Sequence, residues 1–396
     1  MLSLSRAVAA AAGGLGLRTA GALAGRRAAA ASAAVPQPAV SDGPDEWRAR
    51  LGEVRTDWTR EEVESVYGQP LLELVHTAAT VHRAHHDPLS VQKCTLLSIK
   101  TGGCPEDCTY CSQSSKHETA VKATRLMGLE EVYDAAVRAK AAGSTRFCMG
   151  AAWRGPSQVG KGQWERVKEM VTRIRALDME VCTTMGMLTP EQATELRTAG
   201  LSAYNHNLDT SEEHYAKITT TRRYQDRLDT LEVVRNAGIS VCAGGIIGLG
   251  EGLKDRAGLL LTLATLPQHP ESVPINKLVA IEGTPLGDAG VEAPSAMDLV
   301  RCIATARILM PKSMVRLSAG RTSLGLGDQA LCFMAGANSI FSGDQLLTTP
   351  NPDEDEDAAM FSALGLHPRP AFQPYKAGND TTAAEHSGCG GSGSCA

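Results

Sequence analysis

Short apolar runs alternate with longer amphipathic stretches along the central part of the chain. Eight runs rich in β-branched and other apolar residues are typical of strands, and they begin near Cys94, Arg146, Glu180, Ala203, Ser240, Val273, Met314 and Ser339. Helical periodicity fills intervals between them, over residues 128–142, 164–177, 190–199, 225–237 and 296–310. Eight β/α units in succession predict an α/β fold, a (β/α)8 TIM-type barrel, with a doubly wound open sheet as the alternative.

The composition changes on both sides of this repeating region. Residues 1–40 contain four arginines, fifteen alanines and no acidic residue, which is typical of a cleavable organelle transit peptide; a secretory signal is the alternative. We predict a helical extension over residues 41–88 that covers the barrel's end, the barrel over residues 89–376, and a flexible tail over residues 377–396. The tail cysteines, Cys389 and Cys395, are poor ligand candidates because ordering a Gly/Ser chain costs much conformational entropy. The acidic run over residues 353–357 predicts a solvated loop entering a helix.

Charge and hydropathy exclude several classes of partner. The net charge is -5, or -9 once the four arginines of residues 1–40 are removed, so no basic excess is available to bind nucleic acid. The longest apolar stretch, residues 7–17, is shorter than the roughly 20 residues needed to span a bilayer, so we expect no membrane segment. Eleven cysteines without the layout of a small disulfide scaffold favour metal or redox chemistry.

Three cysteines lie within eight residues directly after the first predicted strand, in the sequence CPEDCTYC. Cys104, Cys108 and Cys111 therefore fall in a loop at the end of the barrel where such folds carry their chemistry. A structural zinc site would require a fourth protein ligand, and no second CxxC pair follows nearby. An iron–sulfur cluster held by three cysteines leaves one iron open to bind a small molecule. We therefore favour a catalytic cluster over structural zinc.

A second set of cysteines is spread over three predicted strands. Cys148, Cys182 and Cys242 each lie near the middle of a strand, in RFCMG, EVCTT and SVCAGG. A single buried cysteine is more often a small apolar core residue than a ligand, but three in equivalent places can converge on one metal centre inside the barrel. Arg316, in MVRLSAG, can approach from the seventh strand. Cys94, Cys302 and Cys332 lack such a setting, and we expect them to pack in the core.

Polar residues mark the fourth and sixth predicted strands, and glycines mark the fifth. Because alternate residues of a strand share a face, we expect Asn205, Asn207 and Asp209 to point together into the barrel, with His206 facing outward. Such a face binds either a ligand with amide and hydroxyl groups or a network of waters. Asn276 belongs to the same class. The glycines of GGIIGLGE let the backbone approach a ligand closely, although this loop alone is weak evidence.

The CxxxCxxC spacing with an aromatic residue before its last cysteine resembles the radical S-adenosylmethionine enzymes. Within them the chain resembles the biotin synthase family from about residue 95 to residue 366. The phrases that carry this resemblance are CPEDCTYCSQSS, TRFCMGAAWR, YNHNLDTS, YQDRLDTL, CAGGIIGLGE, VPINKLV, GTPL, MVRLSAGR, FMAGANSIF and LLTTPNP. The resemblance implies conversion of dethiobiotin to biotin by radical-mediated sulfur insertion, with S-adenosylmethionine as the source of 5′-deoxyadenosyl radicals.

The resemblance also implies roles for individual residues. Cys104, Cys108 and Cys111 would ligate a 4Fe-4S cluster, and Cys148, Cys182, Cys242 and Arg316 a 2Fe-2S cluster that donates sulfur. Chemistry alone does not predict Arg316 as a ligand, since a guanidinium stays protonated and is a poor metal donor. The implied contacts to S-adenosylmethionine are Asn207, Asp209, Arg227, Gly244, Gly245 and Gly248. The implied contacts to dethiobiotin are Asn205, Asn207 and Asn276.

The expected partners follow from the same resemblance. They are dethiobiotin, S-adenosylmethionine, an electron donor of the ferredoxin or flavodoxin type, the iron–sulfur assembly machinery and a second copy of the chain in a homodimer. The leader then implies the mitochondrion, with the chloroplast as a weaker expectation. Two rival functions stay open: a sulfur-inserting enzyme such as lipoyl synthase, which should carry a contiguous second cysteine segment, and a non-enzymatic iron–sulfur carrier.

Overall fold

The computed structural model describes residues 46–373, and its centre is a closed barrel of parallel strands. The strands are β1 (Ser90–Lys100), β2 (Arg146–Ala151), β3 (Glu180–Thr184), β4 (Ala203–Asn205), β5 (Ser240–Cys242), β6 (Gly245–Ile247), β7 (Ser272–Lys277), β8 (Met314–Leu317) and β9 (Ser339–Phe341). The last strand, β9, pairs with β1 through Gln92, Lys93 and Cys94, so the sheet has no open edge. This closure confirms the predicted (β/α)8 barrel and excludes the doubly wound open sheet.

All eight predicted strands are present, but the fifth is divided. β5 and β6 both pair with β7, and Gly244 lies in the break between them. A side chain at Gly244 would overlap the carbonyl oxygen of Pro274 in β7, which explains why this position has none. A short tenth strand, β10 (His367–Pro368), adds to the start of β1 outside the barrel.

Helices surround the barrel and connect its strands. The five predicted helices are observed as α4 (Leu129–Ala141), α5 (Lys161–Arg175), α6 (Pro190–Thr198), α8 (Tyr224–Asn236) and α11 (Ala296–Leu309). The patterning did not predict α7 (Glu212–Ile218), α9 (Leu253–Ala264), α10 (Pro285–Asp288) and α12 (Leu326–Met334) as separate helices, whereas α13 (Glu354–Leu364) is the helix expected after the acidic run. Thr189 and Ser295 begin α6 and α11 with capping boxes, which satisfy otherwise unpaired backbone amides of the first turn.

Three helices precede the barrel, as the sequence predicts: α1 (Glu46–Ala49), α2 (Arg60–Gly68) and α3 (Leu71–His85). α2 and α3 pack mainly on the outer helices α9 and α11 and so lie along the flank of the barrel. The connecting segments reach its amino-terminal end, where Trp58 Nε1 donates to the Leu309 carbonyl and His86 meets the Pro311 carbonyl. The expectation that these helices cover the barrel's end is therefore wrong for α2 and α3 themselves.

The acidic run at residues 353–357 marks the start of a helix, as predicted, but it is not a loop: Asp353 is the N-cap of α13 and the other four residues form its first turn. Asp357 is an exception to the solvated character expected of this run. It is buried and forms an ion pair with Arg321, which is equally buried. Because an unpaired buried charge is costly, this pair fixes α13 against the barrel.

The main apolar core lies between the strands and the surrounding helices. Inside the barrel a separate small cluster contains three cysteines and an alanine: Cys94, Cys148, Cys182 and Ala203. In the described part of the chain, no helix is both long and apolar enough to cross a membrane. The predicted transit peptide at residues 1–40 and the tail at residues 377–396, with Cys389 and Cys395, lie outside the described residues, so their boundaries remain predictions.

Candidate active site with two groups of cysteines

A cavity of about 340 Å³ opens at the carboxyl-terminal end of the barrel strands. Its wall contains residues from the loop after β1, from the strands themselves and from residues 346–349 after β9. This is the end of a (β/α)8 barrel where catalytic residues are found, because eight strand-to-helix loops converge there. The cavity is the candidate active site.

The three loop cysteines line this cavity, as the sequence predicts. Cys104 and Cys111 are partly exposed, Cys108 is buried, and all three are free thiols. The loop is held by its own backbone: Cys104 N–H donates to the Gln113 carbonyl at 2.9 Å, and Cys111 N–H donates to the Cys108 carbonyl at 2.9 Å. Three sulfurs are thereby presented from one short, hydrogen-bonded loop.

Burial controls the acidity of these thiols. Desolvation raises the pKa of Cys104 and Cys108, and it raises the pKa of Cys111 to about 12. The thiols are therefore protonated at neutral pH when no metal is bound. Since iron binds the thiolate, an iron–sulfur cluster bound by these cysteines would displace their protons.

A buried carboxylate, Glu106, lies beside the loop cysteines and was missed by the sequence reasoning. Its oxygens are 3.0 Å from Arg154 Nη1 and 3.8 Å from Arg222 Nε, and it also accepts a hydrogen bond from Thr221 Oγ1. Arg222 Nη2 in turn is 3.9 Å from Cys108 Sγ. The sequence signals for this network were two carboxylates between the cysteines, Glu106 and Asp107, and a basic pair of opposite charge at the end of TTTRR.

The three strand cysteines are brought together inside the barrel. Cys148 and Cys182 are register partners on β2 and β3, and Cys182 lies close enough to Cys148 and Cys242 to raise the pKa of both thiols. All three are buried. Arg316 enters from β8, and its Nη1 is 3.8 Å from Cys242 Sγ. The four residues expected to share a second site therefore lie side by side, deeper in the barrel than the loop cysteines.

Cys94 packs in a buried cluster, as expected, and this cluster is the one that contains Cys148 and Cys182. Arg316 Nη2 donates to the Cys94 sulfur at 3.4 Å. Burial opposes ionisation of Cys94, but the neighbouring thiol of Cys148 and the charge of Arg316 hold its pKa below the usual thiol value. Cys302 on α11 and Cys332 on α12 pack in the apolar core, as expected.

Asn205, Asn207 and Asp209 all line the cavity, but not through strand alternation. β4 ends at Asn205, and Asp209 has a left-handed backbone with φ 68°. Asn205 Nδ2 donates to Asn207 Oδ1 at 3.0 Å and reaches Cys242 Sγ at 3.3 Å. His206, expected to face outward, is also among the residues that line the cavity, because the chain has already left the strand.

The remaining predicted contacts lie around this polar group. Arg227 lines the cavity, forms an ion pair with Asp209, and its Nε donates to Tyr215 Oη at 2.9 Å. Asn276 also lines the cavity, and its amide bridges the Gly245 carbonyl and the Ala319 N–H. Arg227 and Asn276 come from different β/α units, which closure of the barrel brings together.

The glycines of the fifth unit lie behind the cavity wall. A side chain at Gly244 would overlap Pro274, one at Gly245 would overlap Leu259, and one at Gly248 would overlap Pro294. Ile246 is the residue of this segment that lines the cavity. Their small size is thus required first by packing within the protein.

The chain matches the Radical SAM superfamily over residues 98–263 and the Biotin and Thiamin Synthesis associated domain over residues 274–367. It is 58% identical over 323 residues to biotin synthase of Cytophaga hutchinsonii, which covers 82% of this chain and 95% of that protein. It is 60% identical over 317 residues to the mitochondrial biotin synthase of Arabidopsis thaliana, covering 80% of this chain and 83% of that one.

The chain belongs to the biotin synthase family. The sequence-based resemblance is therefore confirmed, and the chain is a radical S-adenosylmethionine enzyme. Biotin synthases use a 4Fe-4S cluster with S-adenosylmethionine and a second, 2Fe-2S cluster.

Solved structures show the same fold at low sequence identity. Methylornithine synthase superimposes with a TM-score of 0.66 at 20% identity, covering 79% of this chain and 94% of that one. The hydrogenase maturase HydG gives a TM-score of 0.68 at 16% identity, covering 82% of this chain and 74% of that one. These likenesses support the barrel assignment made from strand pairing.

The two cysteine groups fit the two clusters of a biotin synthase by the chemistry of their donors. Thiolate sulfur is the common protein ligand of both cluster types, and each group supplies three thiols from neighbouring positions. Over residues 46–373, no three His, Cys, Asp or Glu side chains are arranged to hold a single metal ion. The cysteines of a cubane each bind a different iron, so the loop group needs no common centre.

Proposed function

We propose that this enzyme converts dethiobiotin to biotin within the barrel cavity. Cys104, Cys108 and Cys111 hold the 4Fe-4S cluster, and Cys148, Cys182, Cys242 and Arg316 hold the 2Fe-2S cluster. The observation that carries the proposal is that members of both cysteine groups line one cavity, the first at its mouth and the second at its base. A substrate between them can face a radical source on one side and a sulfur source on the other.

When bound, the cubane supplies the electron that cleaves S-adenosylmethionine, and the two-iron cluster supplies the sulfur that becomes part of biotin. The protein's own contribution begins with charge. Arg222 and Arg154 offset the buried carboxylate of Glu106, and Arg222 also lies within reach of the Cys108 sulfur. This positive charge favours the thiolate form that the cluster requires.

Polar side chains between the two cysteine groups orient the small molecules. We assign Asn207, Asp209 and Arg227 to S-adenosylmethionine, and Asn205, Asn207 and Asn276 to dethiobiotin. Asn205 is placed to do this because Thr184 Oγ1 donates to its carbonyl oxygen at 3.1 Å while its amide nitrogen faces Asn207 and Cys242. A side chain fixed at both ends loses little entropy on binding a ligand.

The glycines of the fifth unit complete the cofactor site. We assign Gly244, Gly245 and Gly248 to S-adenosylmethionine through the backbone of their segment, which carries Ile246 to the cavity wall. A larger residue at any of them would displace that wall, because each position is already in contact with the protein behind it.

Apolar side chains exclude water from the cavity. Leu346 and Leu347, from the segment after β9, line it together with Phe341 and Ile246. Thr348 Oγ1 is 2.9 Å from Ser112 Oγ in the cluster loop, which ties this segment to the mouth. A dry site protects a reactive radical from side reactions with solvent.

We further propose that the enzyme acts as a homodimer in the mitochondrion rather than the chloroplast. The Arg-rich, acid-free leader and the mitochondrial relative from Arabidopsis thaliana support the location. A ferredoxin- or flavodoxin-type protein supplies electrons, and the iron–sulfur assembly machinery loads both clusters. A fluorescent fusion of residues 1–45 should label mitochondria; cytosolic, plastid or secreted signal would contradict the location.

Two cysteine substitutions test the assignment of the clusters. Cys108→Ala should abolish formation of 5′-deoxyadenosine, since the cubane loses one of three protein ligands. Cys182→Ala should remove the second cluster and biotin formation while 5′-deoxyadenosine still appears. Cys332→Ala, a buried cysteine on α12, is the matched control and should retain both products.

Iron and acid-labile sulfide are measured in the same anaerobic preparations. Full biotin yield from the Cys182 variant would contradict the two-cluster assignment. Continued cleavage of S-adenosylmethionine by the Cys108 variant would contradict the role of the loop.

A further inference from the structure

The second cysteine group contains one more thiol than the proposed function uses. Cys94 lies on β1 and is completely buried inside the barrel. It shares an apolar cluster with Cys148 and Cys182, in which Leu96 and Phe341 are the partly buried neighbours. Four cysteines, from β1, β2, β3 and β5, therefore follow one another around the inner wall.

Arg316 connects the two ends of this row. Its Nη2 is 3.4 Å from Cys94 Sγ, and its Nη1 is 3.8 Å from Cys242 Sγ. The guanidinium is held there by Ser339, whose Oγ accepts from Nε at 2.9 Å. Arg316 is the residue assigned as fourth ligand, and the sulfur of Cys94, a second candidate donor, therefore lies directly beside it.

The other contacts of Cys94 are weak and replaceable. Its thiol donates to Gln92 Oε1 at 3.6 Å and lies 3.8 Å from Ser339 Oγ. A guanidinium directed at a sulfur stabilises a thiolate by charge. It gives no such stabilisation to a cysteine that only packs as a neutral thiol. Cys302 and Cys332, the other buried cysteines outside the two groups, lie on outer helices away from the barrel interior.

Ligand chemistry distinguishes the two donors. A guanidinium stays protonated and is a poor metal ligand, whereas a thiolate is the usual ligand of iron–sulfur clusters. We propose that Cys94 is an alternative fourth ligand of the 2Fe-2S cluster, able to take the position of Arg316 and complete an all-cysteine site. This proposal rests on the proposed function, because it presumes that Cys148, Cys182 and Cys242 hold that cluster.

Four variants of the full chain test it after anaerobic loading with iron and sulfide. Arg316→Leu should keep the second cluster at wild-type iron and sulfide content, with Mössbauer and resonance Raman spectra of four-thiolate ligation. Cys94→Ser alone should keep the cluster with the wild-type spectra. The double variant Arg316→Leu/Cys94→Ser should lose at least half of the second cluster. Arg316→Leu/Cys302→Ser is the matched control and should behave as Arg316→Leu.

The cubane content of each preparation reports whether the barrel has folded, since its ligands lie in a separate loop. The proposal is overturned if Arg316→Leu alone loses the second cluster, or if the double variant keeps as much of it as Arg316→Leu does. If the double variant lacks the cubane and so has not folded, Arg316→Lys/Cys94→Ala takes its place, and its cluster content is judged by the same criteria. Failure of the proposed function looks different: Cys182→Ala would then retain the second cluster whatever residue occupies position 94.

Discussion

The buried ion pair between Arg321 and Asp357 offers a sharp test of how the cavity wall is held. Arg321 donates from Nη1 to the Phe341 carbonyl at 2.7 Å and from Nε to Gln329 Oε1 at 3.1 Å. It also forms an ion pair with Asp357 on α13 and contacts Met360 Sδ at 3.9 Å, and the Arg321 and Asp357 side chains are only 1% exposed. The pair thus fixes both ends of residues 342–356, a stretch that includes the cavity-lining residues 346–349.

Asp357→Asn keeps the shape of the side chain and removes its charge. Leaving one partner of a buried pair uncompensated costs about 3–5 kcal/mol. Arg321 keeps its bonds to Gln329 and Phe341, and the new amide oxygen still accepts, so we expect the lower limit, about 3 kcal/mol. At roughly 2.1 cal/mol/K of unfolding entropy per residue over the described residues 46–373, this lowers the Tm by about 4 °C.

The assay is thermal unfolding followed by circular dichroism, combined with hydrogen exchange of residues 342–352, which should become faster. Asp355→Asn is the matched control because Asp355 is exposed on the same helix. Arg321→Met/Asp357→Leu should recover much of the loss, since no charge is then left unpaired. If Asp357→Asn is as stable as Asp355→Asn, the buried pair does not hold α13 and the reasoning fails.

Three further outcomes are expected. Burial, with the nearby charges of Arg307 and Arg83, lowers the pKa of His82 to about 2, so the unfolded chain binds a proton below its usual value of roughly 6.5 while the folded chain does not. His82 therefore lowers the free energy of unfolding by about 2 kcal/mol as the pH falls from 7 to 5. His82→Met should abolish this part of the pH dependence, measured by urea unfolding at the two pH values. Asn207→Ala should weaken binding of S-adenosylmethionine or dethiobiotin by on the order of 1–3 kcal/mol in titrations, because Asn205 loses its acceptor. Gly244→Ala should destabilise the barrel by about 1–3 kcal/mol through overlap with Pro274.

Each of these outcomes has its own control. His76→Met changes a histidine on the same helix, and the His82 reasoning fails if the two variants lose stability equally between pH 7 and pH 5. Unchanged affinity of the Asn207 variant for both small molecules would place that residue outside the site. Gly162→Ala lies in α5 with open space around the added methyl, and it should be neutral or stabilising, unlike Gly244→Ala.

The sequence by itself determined the class of fold and led to the proposed first cluster site. Eight apolar runs separated by helical periodicity predicted the barrel, since each β/α unit must cover one strand with one helix. Cys104, Cys108 and Cys111 could be found because all of their spacing is local. The three strand cysteines could be suspected for a related reason: each occupies the same place in its own unit.

Only the tertiary structure decided which side chains meet. Cys94 was assigned to packing because nothing near it in sequence suggests a ligand, yet closure of the barrel brings Arg316, 222 residues further along, to its sulfur. Glu106 and Arg222 meet in the same way across two β/α units. Asp357 was taken for a solvated residue because its neighbours are acidic, and its burial depends on Arg321. Local patterning fixes which face of an element is apolar, whereas pairing of buried polar groups is set by barrel closure, which brings together residues far apart along the chain.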